Sequence, residues 1–570
     1  MYFTLKNKRK ISINLATSAL VIILVFTIMS TYLMASEVPD VRYGPHIRPP
    51  VMAQNGMVSS NNILASQAGI TMLEKGGTVA DAMLAVETVL PLTSPGRTSI
   101  AGAGFGVMWV ASEGKVVGID YNGEAPSHPE LMERAEETRE RYSIGGAFVP
   151  GQIGGLLRLH ERYGKLPLSE VFAPAIRLAT TGTPITELVS GRIKEMKAIF
   201  ELIPTTADIL LPHGRPPESG EVYYNPNYAK TLKLIAEGGY DAFYKGPIAR
   251  EVARFYKEQN GFLTYESFAS YEPIWVEPIH TTYRGYDIYA LPPTSRGTSL
   301  LEGLNILEGI DLKSMDYQSA DYMHLMLEVF KLVWADGYRY HGDMRFVDVP
   351  VDRLISKEYA DLQRERIDME KASAPSPGIS FEKKVDDTTH AVVADQYGNI
   401  LTCTLTTGTF GNGIMVGNLG FLIRSGTSWF NLIKGDPDEL APGKRPQTDH
   451  TPFIMFRDGR PILAMGGAGS TTIWQNQIQM VVNIVDFGMN PQQSVSIPRF
   501  VIRNGVDLIR LDQTPMDENY WTSDLINELE KRGHKIDYRD CGEVNGIMFL
   551  PSGVMMGAAD PRRDGFAIGW

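Results

Sequence analysis

One segment constrains this chain more than any other, the run of residues 386–407, which reads DDTTHAVVADQYGNILTCTLTT. Small and apolar residues alternate on both sides of the Tyr397–Asn399 turn, and this pattern predicts a tight β-hairpin. The first strand opens with two threonines and a histidine. Threonine favours strands, so one interpretation of this opening is structural. The other interpretation is that Thr388 becomes the first residue of a new chain.

The second interpretation rests on the chemistry of threonine, whose hydroxyl is a weak nucleophile that needs a base. If the bond between Asp387 and Thr388 is cut, the new α-amine of Thr388 becomes that base, with a pKa of roughly 7.7–8.0. The hydroxyl and the amine lie on adjacent carbons, so their positioning is built in. Under this second interpretation the protein is an N-terminal-nucleophile hydrolase that cuts its own chain at this bond; on these residues alone, both interpretations stay open.

Composition excludes several other classes of protein. The 570 residues carry a net charge of -12, which argues against nucleic acid as a partner. Cys403 and Cys541 are the two cysteines, too few for a disulfide framework or a cysteine-built metal site. The ten histidines show no HExxH or paired-ligand spacing. The run AGAGFG lacks the spacing of a nucleotide-binding loop, so we expect no metal and no cofactor.

The N-terminal region predicts export. Residues 6–10 read KNKRK, and residues 11–36 contain no charged side chain, a stretch long enough to span a bilayer. We therefore expect residues 1–36 to be a membrane anchor with the body outside the cytoplasm, or a signal that is cleaved to release a secreted protein. A buried core helix is the remaining alternative. Residues 37–56 are proline-rich and predict an extended linker.

The body of the chain divides at the hairpin. Helical patterns dominate to about residue 202 and continue after a loop at residues 211–232, and strand patterns follow the hairpin. Residues 371–387 form a polar, proline-punctuated stretch, the kind of exposed segment beside which a chain is cut. We expect residues 57–387 and 388–570 to become a large and a small chain of one intertwined catalytic domain.

The order of motifs along the chain resembles the γ-glutamyltransferase family. The matching segments include NGMVSSNNILASQAGITMLEKGGTVADAMLAV, AFVPGQIGGLLRLHERYGKLPLSEVFAPAIRLA, YRGYDIYALPPTSRGTSLLEGLNILEG, TTHAVVADQYGN and GAADPRRDG. The resemblance implies an α+β fold, a four-layer αββα sandwich of the N-terminal-nucleophile hydrolase type. It also implies self-cleavage between Asp387 and Thr388 into two chains that remain together as a heterodimer.

Family roles can be placed on individual residues of this sequence. The resemblance makes Thr388 the nucleophile and Thr406 the residue that hydrogen-bonds the nucleophile's amine or hydroxyl, although a cross-strand threonine pair is the structural alternative. In MGGAGSTT, the backbone N–H groups of Gly469 and Ser470 match the family's oxyanion loop. His390 follows the nucleophile by two residues, and its role is open between structure and catalysis.

The substrate-binding positions depart from the family pattern. Glutathione-acting members hold the glutamyl α-carboxylate with an arginine, and Asn122 stands at that position here. Ser428 stands where an aspartate takes the α-ammonium. A serine pair is replaced by Thr448 and Asp449, and an asparagine by Thr407. The glutamate clamp is therefore missing, which predicts that glutathione is a poor substrate.

Two functions from different classes follow from this pattern. The leading hypothesis is an exported amide hydrolase or acyltransferase that acts on a small amide or γ-glutamyl-like substrate. It would form an acyl-Thr388 ester and pass the acyl group to water or an amine, as oxamate-type amidohydrolases and cephalosporin-type acylases of the family do. Arg424, Lys444 or Arg445 could supply a cation from another position. The alternative is a catalytically inactive, surface-anchored binding protein of the same fold.

Overall fold

The computed structural model describes residues 48–373, 387–503, 508–513 and 520–570. The predicted anchor, most of the predicted linker and nearly all of the polar stretch before the hairpin lie outside these residues. Among the helices that are described, none combines the length and the apolar character needed to cross a membrane.

The described residues contain nineteen strands, several of which follow one another without an intervening helix. The strands are β1 Val51–Ala53, β2 Met57–Ser60, β3 Ala103–Val110, β4 Lys115–Tyr121, β5 Thr183–Pro184, β6 Val222–Tyr223, β7 Ile274–Val276, β8 Ile279–Tyr283, β9 Tyr286–Ala290, β10 Thr389–Ala394, β11 Ile400–Thr406, β12 Phe453–Arg457, β13 Arg460–Ala468, β14 Phe500–Ile502, β15 Leu508–Asp512, β16 Lys535–Arg539, β17 Glu543–Phe549, β18 Met555–Ala559 and β19 Phe566–Gly569.

The α-helices concentrate before the hairpin. They span Ile63–Glu74, Val79–Thr93, Gln152–Tyr163, Leu168–Val171, Ala173–Thr181, Glu187–Phe200, Pro204–Leu210, Pro226–Tyr244, Pro247–Glu258, Tyr265–Ala269, Gly297–Glu308, Ala320–Tyr340, Val351–Leu354, Lys357–Arg364, Ile473–Val485, Pro491–Ser496 and Ser523–Lys531.

Two seven-stranded sheets form the centre of the molecule. Their strand orders are β1-β18-β17-β13-β12-β9-β8 and β19-β2-β10-β11-β3-β4-β7. All pairs within both sheets are antiparallel. Each sheet takes strands from both sides of the predicted cleavage site, so the two parts of the chain are interleaved.

Three apolar cores separate four layers. One core packs helix residues such as Leu84 against Val393 and Leu401 of the second sheet. Another lies between the two sheets and contains Val392 and Ile454. The third packs helices against the outer face of the first sheet. This arrangement confirms the predicted α+β fold with its four-layer αββα sandwich.

The predicted hairpin forms as β10 and β11. The Asp395 carboxylate accepts the backbone N–H groups of Tyr397 at 2.9 Å and Asn399 at 3.0 Å, which stabilises the turn. Gly398 lies within that turn with a φ of 84°, a conformation that glycine adopts without strain. One part of the predicted linker is not a free extended segment. Val51–Ala53, near its end, forms the edge strand β1 and pairs with β18.

Candidate active site

The side chains of β10 alternate between two environments. Ala391 and Val393 face the helix-packed core, whereas Val392 and Ala394 face the core between the sheets. By the same alternation His390 and Thr388 lie on the inter-sheet side. In the uncleaved chain Thr388 directly precedes β10 and is 2 % exposed, so the predicted nucleophile is buried before cleavage.

The hydroxyl of Thr406 contacts the peptide bond that we predict to be cut. Thr389 pairs with Leu405, so the next position along the ladder places Thr388 opposite Thr406. The Thr406 Oγ1 donates to the carbonyl oxygen of Asp387 at 2.6 Å. It accepts the backbone N–H of Gly408 at 2.8 Å. In the uncleaved chain the Thr406 hydroxyl therefore contacts the Asp387 carbonyl. The resemblance implied a different partner, the amine or hydroxyl of Thr388.

Three arginines surround the buried carboxylate of Asp387. Arg563 Nη1 lies 2.8 Å and Arg97 Nε 3.1 Å from its Oδ1, and Arg192 Nη2 lies 3.8 Å from its Oδ2. Burial by itself raises the pKa of this carboxyl group. The charges of Arg97, Arg563 and Arg192 outweigh burial and hold the pKa of Asp387 well below its usual value. Asp387 is therefore a carboxylate at neutral pH.

Arg97 connects this carboxylate to the nucleophile. Its Nη2 donates to the carbonyl oxygen of Thr388 at 2.7 Å and also to Glu543, which Asn61 contacts in turn. Burial lowers the pKa of Arg97 to about 10, and the neighbouring Asp387 charge opposes that change. No role was predicted for Arg97 from the sequence, although an arginine inside the small-residue run PGRTSIAGAG signals a buried, paired charge. No role was predicted for Arg563 either, although it lies in the segment GAADPRRDG that resembles the family.

His390 is a fully buried side chain between the two sheets. Its Nδ1 lies 2.9 Å from Oγ1 of Thr404 and its Nε2 lies 3.1 Å from Oγ1 of Thr402. Burial lowers its pKa to about 3, so the ring is neutral at physiological pH. A methyl group added to Gly466 would lie 2.1 Å from the ring, which shows how closely β13 approaches this residue.

The predicted oxyanion loop follows β13. Gly469 has a φ of 131° and Ser470 a φ of 57°, so both residues adopt the left-handed region of backbone conformation. A serine in this region carries strain that the surrounding structure must compensate. Gly469 and Asp387 line the same cavity, which has a volume of about 640 Å³. The structure thus places the predicted loop beside the predicted cleavage site.

This cavity is rich in positive charge. Its charged lining consists of five arginines and three acids: Arg141, Arg192, Arg510, Arg539, Arg563, Glu195, Asp387 and Asp540. Arg510 is 4 % exposed, and its Nε and Nη2 have no hydrogen-bond partner among the described residues. The cavity therefore suits an anionic ligand better than a cationic one.

The five predicted substrate-binding positions do not line this cavity. The Asn122 amide donates to the Pro446 carbonyl at 2.7 Å, and the Thr448 hydroxyl donates to the Thr294 carbonyl at 3.3 Å. Asp449 pairs with buried Arg296 at 3.4 Å.

The other two positions have neighbours within the chain. Ser428 donates to the carbonyl of Ser425 at 2.9 Å. The backbone N–H of Thr407 donates to the carbonyl of Arg97 at 3.2 Å, which brings Thr407 beside the nucleophile's contacts.

The alternative cations from the sequence have partners of their own. Arg445 is buried and contacts Asp120 at 3.0 Å and Glu124 at 3.1 Å. Lys444 donates to two backbone carbonyl oxygens at 2.8 and 2.9 Å. Arg424 lies over the rings of Phe148 and Trp429. Arg445 and Lys444 therefore hold the local structure together and are not available to a substrate carboxylate.

One cluster among the described residues brings potential metal ligands together. The ligand atoms of His324, Glu328 and His534 lie within 4.8 Å of one another. The two rings approach to 2.8 Å, and Lys331 donates to Glu328 at 2.9 Å. Because the two rings contact each other and a cation already contacts the carboxylate, we assign no metal to them. Spacing rules could not reveal the cluster, since 210 positions separate the two histidines.

Comparisons with known proteins identify the family of this chain. A family model described as gamma-glutamyltranspeptidase matches residues 65–570. The glutathione hydrolase proenzyme of Escherichia coli strain K12 is 33% identical over 555 residues, 93% of this chain and 94% of that protein. The acylase ACY 1 proenzyme of Pseudomonas sp. strain SE83 is 35% identical over 537 residues, 91% of this chain and 94% of that protein.

A solved structure extends the likeness to the whole fold. The crystal structure of a cephalosporin acylase from Bacillus halodurans aligns with a TM-score of 0.85 at 32% identity, covering 94% of this chain and 99% of that one. Fold and matches define an enzyme of the N-terminal-nucleophile hydrolase class, with hydrolase and acylase relatives. Within that class, the chain belongs to the gamma-glutamyltranspeptidase family.

Proposed function

We propose that this protein is a self-processing threonine amidohydrolase or acyltransferase with Thr388 as its nucleophile. The observation that carries the proposal is the 2.6 Å hydrogen bond from the Thr406 hydroxyl to the Asp387 carbonyl oxygen. That oxygen gains negative charge when a nucleophile attacks its carbon. A donor already aimed at it therefore stabilises the tetrahedral intermediate of self-cleavage.

Self-cleavage follows as an N-to-O acyl shift. The Thr388 hydroxyl attacks the Asp387 carbonyl carbon and loses its proton, and the carbonyl oxygen becomes an oxyanion held by Thr406. The carbon–nitrogen bond then breaks, the nitrogen takes the proton that the hydroxyl lost, and Asp387 is left as an ester on Thr388. Water hydrolyses the ester, which gives a large chain ending in a carboxylate and a small chain with a free amine.

The mature enzyme uses the same hydroxyl with its new base. The α-amine accepts the hydroxyl proton as Thr388 attacks a substrate amide, and it donates a proton to the departing amine. The acyl group remains as an ester until water or an acceptor amine removes it. Gly469 and Ser470 are the proposed donors to the oxyanion in this step.

The substrate is an amide other than glutathione in this proposal. Asn122 and Ser428 stand where glutathione-acting relatives have an ion-pairing arginine and aspartate. Arg445 contacts Asp120 at 3.0 Å and Lys444 donates to the Pro437 carbonyl at 2.8 Å, so neither replaces the missing arginine. The loss of a charge-paired contact to a buried substrate group typically costs 2–5 kcal/mol, so we expect γ-glutamyl amides to react slowly.

We further propose that residues 11–36 hold the enzyme at a membrane with its catalytic body outside the cytoplasm. Support comes from the uncharged apolar run that follows the basic residues 6–10.

The primary test is the covalent state of the purified protein. We would express residues 37–570 as wild type, Thr388→Ala and Thr388→Ser, then measure intact mass and N-terminal sequence. We expect two wild-type chains, with the small chain beginning Thr-Thr-His, an uncut alanine variant and slow cutting of the serine variant. A folded wild type that stays whole refutes the proposal and favours the inactive binding protein.

A further inference from the structure

We propose that the processed enzyme prefers acyl groups that end in a carboxylate at succinyl length, held where the Asp387 side chain lies before cleavage. This inference rests on the proposed function and adds a substrate class to it. In this proposal Asp387 supplies the first acyl group that forms an ester with Thr388. The residues around its side chain then bind the acyl groups of substrates.

The chemical basis is that both reactions produce an ester on the same oxygen. Self-cleavage leaves the Asp387 acyl group on Thr388 Oγ, and substrate turnover leaves the substrate acyl group there. In Asp387 the side-chain carboxylate is separated from the ester carbonyl by two carbons, which is the spacing of a succinyl group. A succinyl ester of Thr388 can therefore extend to the same place as the aspartyl ester.

The structural basis is the set of arginines around that carboxylate. Arg563 at 2.8 Å and Arg97 at 3.1 Å make charge-assisted contacts, and Arg192 lies 3.8 Å away. The two nearest guanidinium groups are buried. When the new C-terminus at Asp387 departs, Arg97 keeps Glu543 and Arg563 keeps Asp540 as partners, and each loses one charged contact that another carboxylate of similar reach can replace.

The remaining charge of the cavity favours the same ligand. Without Asp387, five arginines face two acids in its lining. Arg510 is an independent sign, because a buried guanidinium with Nε and Nη2 unpaired among the described residues calls for an anion. The low pKa of Asp387 in a fully buried position agrees with surroundings that stabilise a carboxylate.

Turnover of such a substrate balances in two steps. Thr388 Oγ forms a bond to the succinyl carbonyl carbon while its proton passes to the α-amine, and the carbon–nitrogen bond to the leaving amine breaks as the amine takes that proton. Water then adds to the ester carbon, the bond to Thr388 Oγ breaks, and the dicarboxylic acid leaves with the nucleophile restored.

The test compares three p-nitroanilides on the self-processed wild-type enzyme: succinyl, glutaryl and butyryl. Butyryl has the chain length of succinyl with a methyl group in place of the carboxylate. We expect kcat/KM for succinyl to exceed that for butyryl by about 10- to 100-fold, the range for a charge-assisted contact, and to exceed that for glutaryl. Free succinate should also inhibit more strongly than butyrate.

Variants separate the proposed subsite from general positive charge. Arg192→Gln removes the outermost of the three arginines, which lies 3.8 Å from the Asp387 carboxylate and 3.3 Å from Glu195, and should reduce the succinyl-to-butyryl ratio several-fold. Arg563→Lys should reduce it further, provided that intact mass shows processing. Arg539→Gln is the matched control. Like Arg192, it lines the cavity and pairs with an acid, Asp537 at 2.9 Å, but it is not one of the three arginines around Asp387, so the ratio should be unchanged.

The outcomes are distinct. A processed enzyme that hydrolyses butyryl as readily as succinyl, or that prefers glutaryl, overturns the subsite while leaving the proposed function intact. An equal fall in the ratio for Arg192→Gln and Arg539→Gln also overturns it. A protein that never yields a chain beginning with Thr388 refutes the proposed function itself, and the inference fails with it.

Discussion

The Thr406 hydroxyl has a fixed orientation, because it accepts from Gly408 and donates to Asp387. We predict that Thr406→Val, which keeps the shape and removes the donor, slows self-cleavage by roughly 10²-fold, the usual cost of losing an oxyanion donor. The measurement is the cleaved fraction over time by intact mass. Thr406→Ser retains the hydroxyl and should cleave at nearly the wild-type rate; a valine variant that also does so contradicts the assigned role.

The neutral ring of His390 makes stability depend on pH. In the unfolded chain a histidine takes up a proton below about pH 6.5, whereas folded His390 does so only near pH 3. The unfolded state therefore binds more protons in this window, and the free energy of unfolding falls as the pH drops, by up to about 1.4 kcal/mol per pH unit for this group.

Urea unfolding of the uncleaved Thr388→Ala protein between pH 7 and pH 4 measures this effect. Substituting His390 with Gln removes the titration and should reduce the slope of stability against pH by that amount. His280→Gln is the control substitution, because it replaces a histidine that is exposed and outside the core between the sheets. Equal slopes for the two substitutions would show that His390 is not buried in its neutral form.

At the scale of elements, the two central sheets meet closely where β13 passes β10. A Cβ atom on Gly466 would lie 2.1 Å from the His390 ring, which Thr402 and Thr404 hold in place. We predict that Gly466→Ala forces the strands apart, destabilises the protein by about 1–3 kcal/mol or more and lowers the midpoint of thermal unfolding.

Gly191 provides the matched control for that substitution. It lies within the helix Glu187–Phe200, and an added Cβ would meet nothing within 4 Å. Alanine there should leave the midpoint unchanged or raise it, because glycine costs a helix interior about 0.5–1 kcal/mol relative to alanine. If the two alanine variants melt alike, the close approach of the strands is not real.

At the scale of the whole molecule, the interleaving of strands determines what happens after cleavage. β10 pairs with β2 from before the cleavage site, and β11 pairs with β3. We predict that the two chains elute together in size-exclusion chromatography under native conditions and separate only in strong denaturant. Two separate native peaks would mean that the chains do not form one domain.

The location of the enzyme is a second prediction for the whole molecule. Full-length protein should sediment with membranes and be released by detergent, while residues 37–570 should stay in the supernatant. High salt releases a peripherally bound protein and serves as the control. Full-length protein in the supernatant with its N-terminus intact would rule out the anchor.

Patterns in the sequence were sufficient to predict the hairpin, the fold and the family. Alternation and turn residues define the hairpin of β10 and β11, because strand pairing and turn formation depend on residues within a few positions of one another. The succession of motifs was enough to imply the four-layer fold and the family. The chemistry of a threonine preceded by a cleavable bond was enough to suggest the nucleophile, whose role stays a prediction.

The tertiary structure alone decided which distant residues surround that bond. Arg97, Asp387 and Arg563 are far apart in sequence and meet because the sheets bring three chain segments to one point. Ion pairs removed from water need specific partners, so the buried guanidinium groups of Arg97 and Arg563 form a site that suits a carboxylate. Likewise, only the packing of β13 on β10 determines that His390 is neutral, because its pKa follows from surroundings that no local pattern specifies.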